Sequence, residues 1–581
     1  VLRSQNPIPS IRELDDESAA PAWDVVVVGA GPVGMTLATE LGLRGVKTLV
    51  IEKATETTTN PRCNTTNARS MEYFRRQGSA DRIRRAGLPL DQVTDVVYVT
   101  SLDSYELTRF EFSSSQAILD GTAAEFDEWP TPEPQHRISQ IFLEPLLAER
   151  LADFPSVTVL RGWEAESAVQ DDDGVSVTIT EVATGGRRTV RGRYATGCDG
   201  GVSVMRRAIG ARLEGDSEAA ERRLSIYFRS DELIGLLGDN PGWMYWWYGP
   251  ELRGSFLQLD GSSLFLCHAR VPEGMEPEDL DPDRVLEAAI GRPIAHEKLQ
   301  VIRWTPRRLV ADAFRDGRIA LAGDAAHLWL PLGGFGMNTG IADAVGLGWR
   351  LAALLDGTGG DALLDDYEAE RRSVGEATSR AALKIDRDMA AIGRDPELHA
   401  DSERGAELRA EAGRLIQVID RQQWHSQGVQ FGSRYEHSSG IVAPDDADAT
   451  AIAAIDSYTP SVRAGSRLPH VWRADGSSLF DALGRDWTVL TVDDDSGAGT
   501  GFAEAARRIG LDLAVVDLTA AEAAGVIDEP VVLVRPDLYI AFSGATPTAS
   551  SGPGSAEAVL GELLGAARPM AAAVPAGGLG G

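Results

Sequence analysis

The stretch "DVVVVGAGPVGMTLATELGLRGVKTLVIEK", residues 24–53, constrains this chain more than any other. Residues 25–28 are all valine, a run apolar on both faces, as a central strand of a parallel sheet requires. Gly29-x-Gly31-x-x-Gly34 follows at once and opens a helical pattern, and the next apolar strand ends on Glu52 with Lys53 beside it. Each part has a physical task. The glycines allow a tight turn and let the backbone approach a pyrophosphate, the helix N-terminus faces the anion, and the carboxylate accepts hydrogen bonds from ribose hydroxyls. The unit predicts an α/β domain that binds a dinucleotide through Gly29, Gly31, Gly34, Glu52 and Lys53. A second glycine-rich stretch, "SGAGTGFAEA" at 496–505, lacks the spacing and the downstream acid and reads as an ordinary turn.

Beyond this unit the pattern changes. "DVVYVTS", "RFEFSS", "RRLSIYFRS" and "SSLFLCHARV" alternate apolar and polar residues and are separated by Gly, Pro and Asp, which predicts antiparallel strands. They bracket a return to α/β character around "SVTVLRGWEAESAVQDDDGVSVTIT" and "RYATGCDGG", so a sheet domain is interleaved with the first domain. Two helical stretches follow, the second long and charged on a solvated face. Near residue 460 the composition shifts to strand, helix, strand, strand within about a hundred residues, the size of one small domain.

Composition excludes several classes. A formal charge of −31 opposes nucleic-acid and anionic-lipid binding, and no run approaches the ~18 apolar residues that span a bilayer. The three cysteines, Cys63, Cys198 and Cys267, form no CxxC and no metal-ligand spacing, so neither a disulfide framework nor a metal site is expected and a reducing cytoplasm fits. The first residues carry no apolar signal segment.

Two further motifs complete one site. "GCDGGVSVMRRAIG" places Asp199-Gly200 at a strand end and Arg206 in the following helix; by itself it reads first as a surface turn with Ser203 as N-cap. "GRIALAGDAAHLWLPLGGFGMNTGIADAVGLGWRLA" holds Gly323-Asp324, Pro331, Gly336-Met337-Asn338 and Asp343. In this order the motifs resemble those of the class A FAD-dependent aromatic monooxygenases, the para-hydroxybenzoate and phenol hydroxylase-like family. The resemblance runs over roughly residues 23–400 and includes "PRCNTTNARSMEYFRRQG" and "RISQIFLEPLL". It implies that Asp199 and Arg206 support the nucleotide, that Asp324 binds a ribityl hydroxyl, and that Pro331, Gly336, Met337 and Asn338 form the turn and helix start under the flavin pyrimidine. It likewise implies that Arg62 and Gln140 lie against the FAD. His327 reads more simply as a core histidine, since it has no metal partners.

The implied fold is α/β: a Rossmann-like FAD-binding domain (23–92, 136–214 and 306–400) interleaved with an antiparallel-sheet substrate domain (93–135 and 215–305). An N-terminal arm (1–22), a helical connector (401–460), a thioredoxin-like domain (461–568) and a disordered tail (569–581) complete it. The last domain holds no cysteine, so its expected role is structural or in homodimer contacts.

The implied reaction is hydroxylation of an aromatic, phenolic or polycyclic, substrate with O2 and NADH or NADPH, which binds transiently because only one dinucleotide fingerprint is present, through a flavin C4a-hydroperoxide. Phenol hydroxylases of the family carry a catalytic Asp two residues after the flavin-adjacent Arg; here Asn64 stands in that place. An amide orients a substrate but does not take its proton near neutrality. "PGWMYWWYG" turns Tyr245 and Trp247 to one strand face and Trp246 and Tyr248 to the other, so Tyr245 and Trp247 either line an aromatic pocket or pack the strand's own core. "GGFGMNTGI" also resembles the branch that tailors polycyclic natural products, including indolocarbazole assembly. Two alternatives stay open: a Baeyer–Villiger or oxidative decarboxylation flavoenzyme, and a flavin-containing binding protein that shelters a reactive intermediate.

Overall fold

A computed structural model of the chain describes residues 21–564 except 217–220, 239, 391, 393–394, 436–437, 443–451, 453 and 546–554. Most of the expected N-terminal arm and the whole expected tail lie outside the described residues. The all-valine run forms β1 (Trp23–Val28), followed by α1 (Pro32–Leu43) and β2 (Thr48–Glu52). Apolar side chains on both faces bury these strands completely: residues 25–27 have no exposed surface. Parallel partners Val157–Arg161, Arg187–Gly197 and Ile319–Leu321 complete the layer. Numbered along the chain, these five parallel strands lie in the order 3-2-1-4-5, the doubly wound arrangement whose direction reverses between β1 and Arg187–Gly197. A hairpin, Trp163–Gln170 and Val175–Glu181, extends the sheet antiparallel.

The alternating segments form a seven-stranded sheet, antiparallel except where Met244–Tyr248 pairs parallel with Val96–Val99. That one parallel junction follows from chain order, because the two strands are supplied on either side of a long return through the parallel sheet. Helix Pro282–Ile290 covers one sheet face, packing Val285, Leu286, Ala289 and Ile290 on Phe228, Phe256 and Trp247. On the other face Trp243, Trp246 and Tyr248 cluster with Leu330, Leu332 and Phe335.

The chain divides into two units, residues 1–345, 371–433 and 450–459, and residues 346–370, 434–449 and 460–581. Both sheets described so far belong to the first. The second contains a four-stranded sheet in the order Leu513–Leu518, Trp487–Val492, Val531–Val534, Ile540–Gly544; the first two are parallel and the others antiparallel. Helices Ala498–Ile509 and Ala556–Leu563 pack with the sheet in one core, which also takes Trp349, Ala353 and Leu363. Composition alone placed the start of this unit at residue 461. A change in local composition cannot reveal a segment, such as 346–370, that is supplied from far upstream, and the stretch expected as a connector is shared between the units.

Within the second unit Arg350 and Arg535 are fully buried and their charges are matched. Glu370 sits 2.6 Å from each guanidinium, and Asp537 is 2.5 Å from Arg535. Burial alone would lower Arg535 and raise the two carboxyls, but mutual attraction outweighs it and keeps all three ionised.

Candidate active site

The sheet reverses direction where β1 and Arg187–Gly197 end, and ligands of doubly wound sheets bind in the crevice outside that point. Gly29 has φ +104°, and a Cβ there would stand 2.3 Å from the Cys198 carbonyl oxygen. On Gly34 a Cβ would stand 1.9 Å from the Gly29 oxygen, whereas on Gly31 it would meet nothing within 4 Å. Close packing therefore demands the first and third glycines, and the second opens the N-terminus of α1 to an anion. Glu52 accepts the Ala30 and Ala54 N–H groups, each at 2.8 Å, which fixes its carboxylate at the mouth of this turn. Lys53 does not join it: the ammonium lies 4.0 Å from Glu164 in an exposed ion pair.

Across the crevice, Asp199 Oδ2 accepts the Val204 N–H at 2.6 Å and the Met205 N–H at 3.2 Å, while its Oδ1 is buried without a partner. Arg206, expected at the nucleotide, is committed elsewhere. It donates to the carbonyls of Ala325 at 2.8 Å and Gly201 at 2.7 Å, because the turn at 323–325 leaves a buried carbonyl that needs a donor. The residue ties two motifs together.

That turn is held by three buried polar side chains. Asp343 accepts the Gly323 N–H at 3.0 Å, lies 2.6 Å from His327 Nε2, and accepts from Arg371 Nε at 2.7 Å. Burial alone would raise the Asp343 carboxyl; His327 and Arg371 outweigh it and hold it below the usual range. His327 stacks on Trp329 with ring centres 4.4 Å apart. Asp324 is accessible within the cleft, yet the protein around it raises its carboxyl, an effect partly offset by His327 and Arg62. Arg62 itself is exposed, and Pro331 is too.

The helix Phe335–Asp356 begins where "GFGMN" predicts. Gly336 and Met337 stand half-buried in its first turn; an added Cβ on Gly336 would meet only the Trp329 indole nitrogen, at 3.6 Å. Asn338 is buried, and both ends of its amide are used. Oδ1 accepts the Asn67 N–H at 2.9 Å, and Nδ2 donates to the carbonyls of Thr65 at 2.9 Å and Gly334 at 2.6 Å. It thus positions the helix start against residues 65–67 rather than offering its amide to a ligand. Gln140 opens helix Gln140–Leu151, donates its N–H to the Cys63 carbonyl at 2.7 Å and its side chain to Glu144. Asn64 lies beside Cys63, 9% exposed, with Oδ1 lacking any partner.

These features fit FAD. Gly31 leaves room at a helix start, Glu52 holds a carboxylate beside it, Asp199 keeps an unpaired buried oxygen, and the first-turn N–H groups of the helix at Gly336 have no partner one turn back within that helix. The FAD binding domain model matches residues 22–382, and the model for the C-terminal part of aromatic-ring hydroxylases matches residues 461–567. The chain belongs to the FAD-dependent aromatic-ring hydroxylases. Among similar proteins is the 4-methyl-5-nitrocatechol 5-monooxygenase of a Burkholderia species, 33% identical over 89% of this chain and 93% of that one. The FAD-dependent monooxygenase apdD of Emericella nidulans is 30% identical over 92% of this chain and 89% of that protein. The solved structure of chromopyrrolic acid-soaked RebC with bound 7-carboxy-K252c superposes with a TM-score of 0.84 at 34% identity, covering 94% of this chain and 99% of that one.

In this hydroxylase the aromatic strand has two buried faces. Tyr245 and Trp247, the expected pocket pair, pack against helix Pro282–Ile290, and the Tyr245 hydroxyl accepts the Gly242 N–H at 2.8 Å. Trp246 and Tyr248 instead share the cluster that contains Leu330 and Phe335. Alternation separates the two pairs correctly, but which pair faces the flavin turn depends on what covers the other side, and that is a tertiary fact.

Sequence reasoning also missed three buried polar groups. One is the Asp343–His327–Arg371 set, of which only Asp343 and His327 drew notice. The second is Tyr98 and Asp420: the tyrosine hydroxyl donates to the carboxylate and receives the Trp424 indole N–H at 2.8 Å, and burial pushes Asp420 up to about 7. The third is Arg137, three residues before Gln140 and 3% exposed. No local signal distinguishes a buried arginine from the many exposed ones. Burial raises the Cys63 and Cys198 thiols, so neither is a thiolate near neutrality.

Proposed function

We propose that this FAD-dependent monooxygenase hydroxylates an electron-rich aromatic ring, phenolic or fused, with O2 and a pyridine nucleotide that binds only transiently. The observation that carries the reading is the shared cluster of Trp243, Trp246 and Tyr248 with Leu330, Leu332 and Phe335, which sets an aromatic sheet face against the turn that leads into the flavin-side helix. Bound FAD supplies the redox chemistry with O2. Residues of the chain do the rest. Arg62, Gln140 and Asp324 would hold the cofactor's isoalloxazine and ribityl parts, and the Gly336 and Met337 N–H groups, positioned by Asn338, would receive its pyrimidine edge. The field at that helix start favours negative charge by ~0.3–1 kcal/mol, and by up to ~2 kcal/mol when partly buried. Aromatic walls exclude water from the reacting ring.

The β-α-β-α-β-β-α order of residues 487–563 supports a thioredoxin-like fold without redox cysteines, serving structure or homodimer contacts. No helix among the described residues is long and apolar enough to cross a membrane, and free cysteines suit a reducing cytoplasm.

A second reading is oxidative decarboxylation of a ring-bound carboxylate. It is favoured by Asn64, which provides no base for a phenol, and by the likeness to RebC, solved with bound 7-carboxy-K252c. Reconstitution with FAD, followed by NAD(P)H consumption against a panel of phenols and fused-ring carboxylic acids with product mass, tests both. Hydroxylation adds one oxygen and keeps every carbon, whereas oxidative decarboxylation adds one oxygen and loses carbon dioxide. A wild-type chain that takes up no FAD would sink both.

A further inference from the structure

Arg137 is a buried cation with no counterion at contact distance among the described residues. Its guanidinium lies over the rings of Trp243, Phe112 and Trp424, at 4.6, 5.2 and 5.5 Å from their centres. Nη1 donates to the Thr65 hydroxyl at 3.1 Å, and Nη2 is buried without any hydrogen-bond partner. Glu125 is the carboxylate whose charge it feels, but that group lies beyond ion-pair distance and spends one oxygen on the Ser113 N–H at 2.8 Å. Its histidine neighbours add no negative charge. Burial, with help from nearby arginines, lowers His136 to about 3 and His425 to about 4, so both are neutral near pH 7.

The position is also specific. Thr65, which holds Nη1, gives its carbonyl to Asn338, and a Cβ on Gly334 would stand 2.9 Å from the Thr65 Cβ. Arg137 therefore stands one residue away from the flavin-side turn, against the rings of Phe112, Trp243 and Trp424, which share one cluster with Phe335.

We infer that Arg137 is the substrate-recognition cation of this site, pairing through its free Nη2 with an ionised oxygen on a planar aromatic substrate sandwiched by the surrounding rings. The assignment rests on the hydroxylase reading of the same site and names its substrate class, an aromatic oxyanion, phenolate or carboxylate. It also accounts for Asn64. A phenol held against a buried cation binds as its anion, the O–H bond having broken with release of the proton to solvent, so the ring reaches the flavin already electron-rich and no carboxylate at position 64 is needed.

The test uses the full FAD-loaded chain and alizarin, a planar three-ring phenol whose colour reports its ionisation, alongside its di-O-methyl ether. Equilibrium dialysis gives the two affinities, and spectral titration gives the acidity of bound alizarin. The wild type should prefer alizarin over the ether by about tenfold or more and lower its pKa by about one unit, the scale of a charge-assisted hydrogen bond. In Arg137→Met both effects should vanish with FAD uptake unchanged, and Arg137→Lys, which keeps the charge, should restore part of them. A methionine variant that keeps the preference and the shift would overturn the assignment, as would an FAD-loaded wild type that shows neither, including one that binds neither probe. A carboxylate source is distinguished by repeating dialysis with anthracene-2-carboxylate and its methyl ester. Preference for that acid, with none for alizarin, restricts the assignment to carboxylates. A wild type that takes up no FAD ends the function and the assignment together.

Discussion

Two regions bury arginine in opposite ways. In the C-terminal unit Arg350 and Arg535 meet Glu370 and Asp537 within ion-pair distance, and every charge is answered inside the protein. Beside the flavin-side turn Arg137 is equally buried and answered only by ring faces, one hydroxyl and a distant Glu125. A matched cluster ties a fold together, whereas an unmatched cation in a binding face carries a standing desolvation cost that a ligand relieves. The difference separates structural charge from functional charge without reference to any relative.

The largest effect is expected where matching is broken. Glu370→Gln leaves Arg350 and Arg535 buried with Asp537 as their remaining carboxylate, and should cost ~3–5 kcal/mol in urea unfolding of the C-terminal unit. A loss below ~1 kcal/mol would show that the cluster is not a stabilising centre. Next comes the positioning amide. Asn338→Ala leaves the Asn67 N–H buried and unpaired, at ~1–3 kcal/mol, and the Thr65 carbonyl with only the weak Cys63 thiol as donor, and should lower FAD affinity by loosening the helix start. Flavin fluorescence titration reads this directly, and unchanged affinity would contradict the positioning role.

Arg137→Met supplies the sharpest contrast with Glu370→Gln. Removing an unmatched charge should leave the melting temperature unchanged or raised, even as the variant loses its anion preference. Destabilisation as large as that of Glu370→Gln would place Arg137 with the structural arginines. The smallest effect concerns Asp420. Its folded pKa of about 7 lies above the ordinary value, so its contribution is full below about pH 4 and lost as pH rises through 7. Asp420→Asn should flatten that part of the stability profile, as read by thermal melts from pH 4 to 8. An unchanged profile would mean that another group titrates there.

The glycine turn and its carboxylate were legible because their residues act locally. A run of valines, three glycines at fixed spacing and an acid at the next strand end state their geometry within thirty residues, and the structure places Gly29, Gly31, Gly34 and Glu52 in one turn. Arg206 and Asn338 were found as residues of that region, but their partners, Ala325 and residues 65–67, lie far off in sequence, so a backbone-binding role could not be told from a ligand-binding one. Burial on both faces hid the choice between Tyr245 with Trp247 and Trp246 with Tyr248, which rests on where helix Pro282–Ile290 packs. Arg137 was hidden for the same reason, since its aromatic box is assembled from three separate stretches of chain.

The most direct measurement follows the oxygen atom. The FAD-loaded chain is supplied with NAD(P)H, a phenolic or fused aromatic substrate and oxygen-18 gas, and the product is weighed. The account predicts one heavy oxygen atom in the product for each NAD(P)H oxidised. Oxidation of NAD(P)H that proceeds equally without substrate and ends only in hydrogen peroxide, with no label in any aromatic product, would contradict it.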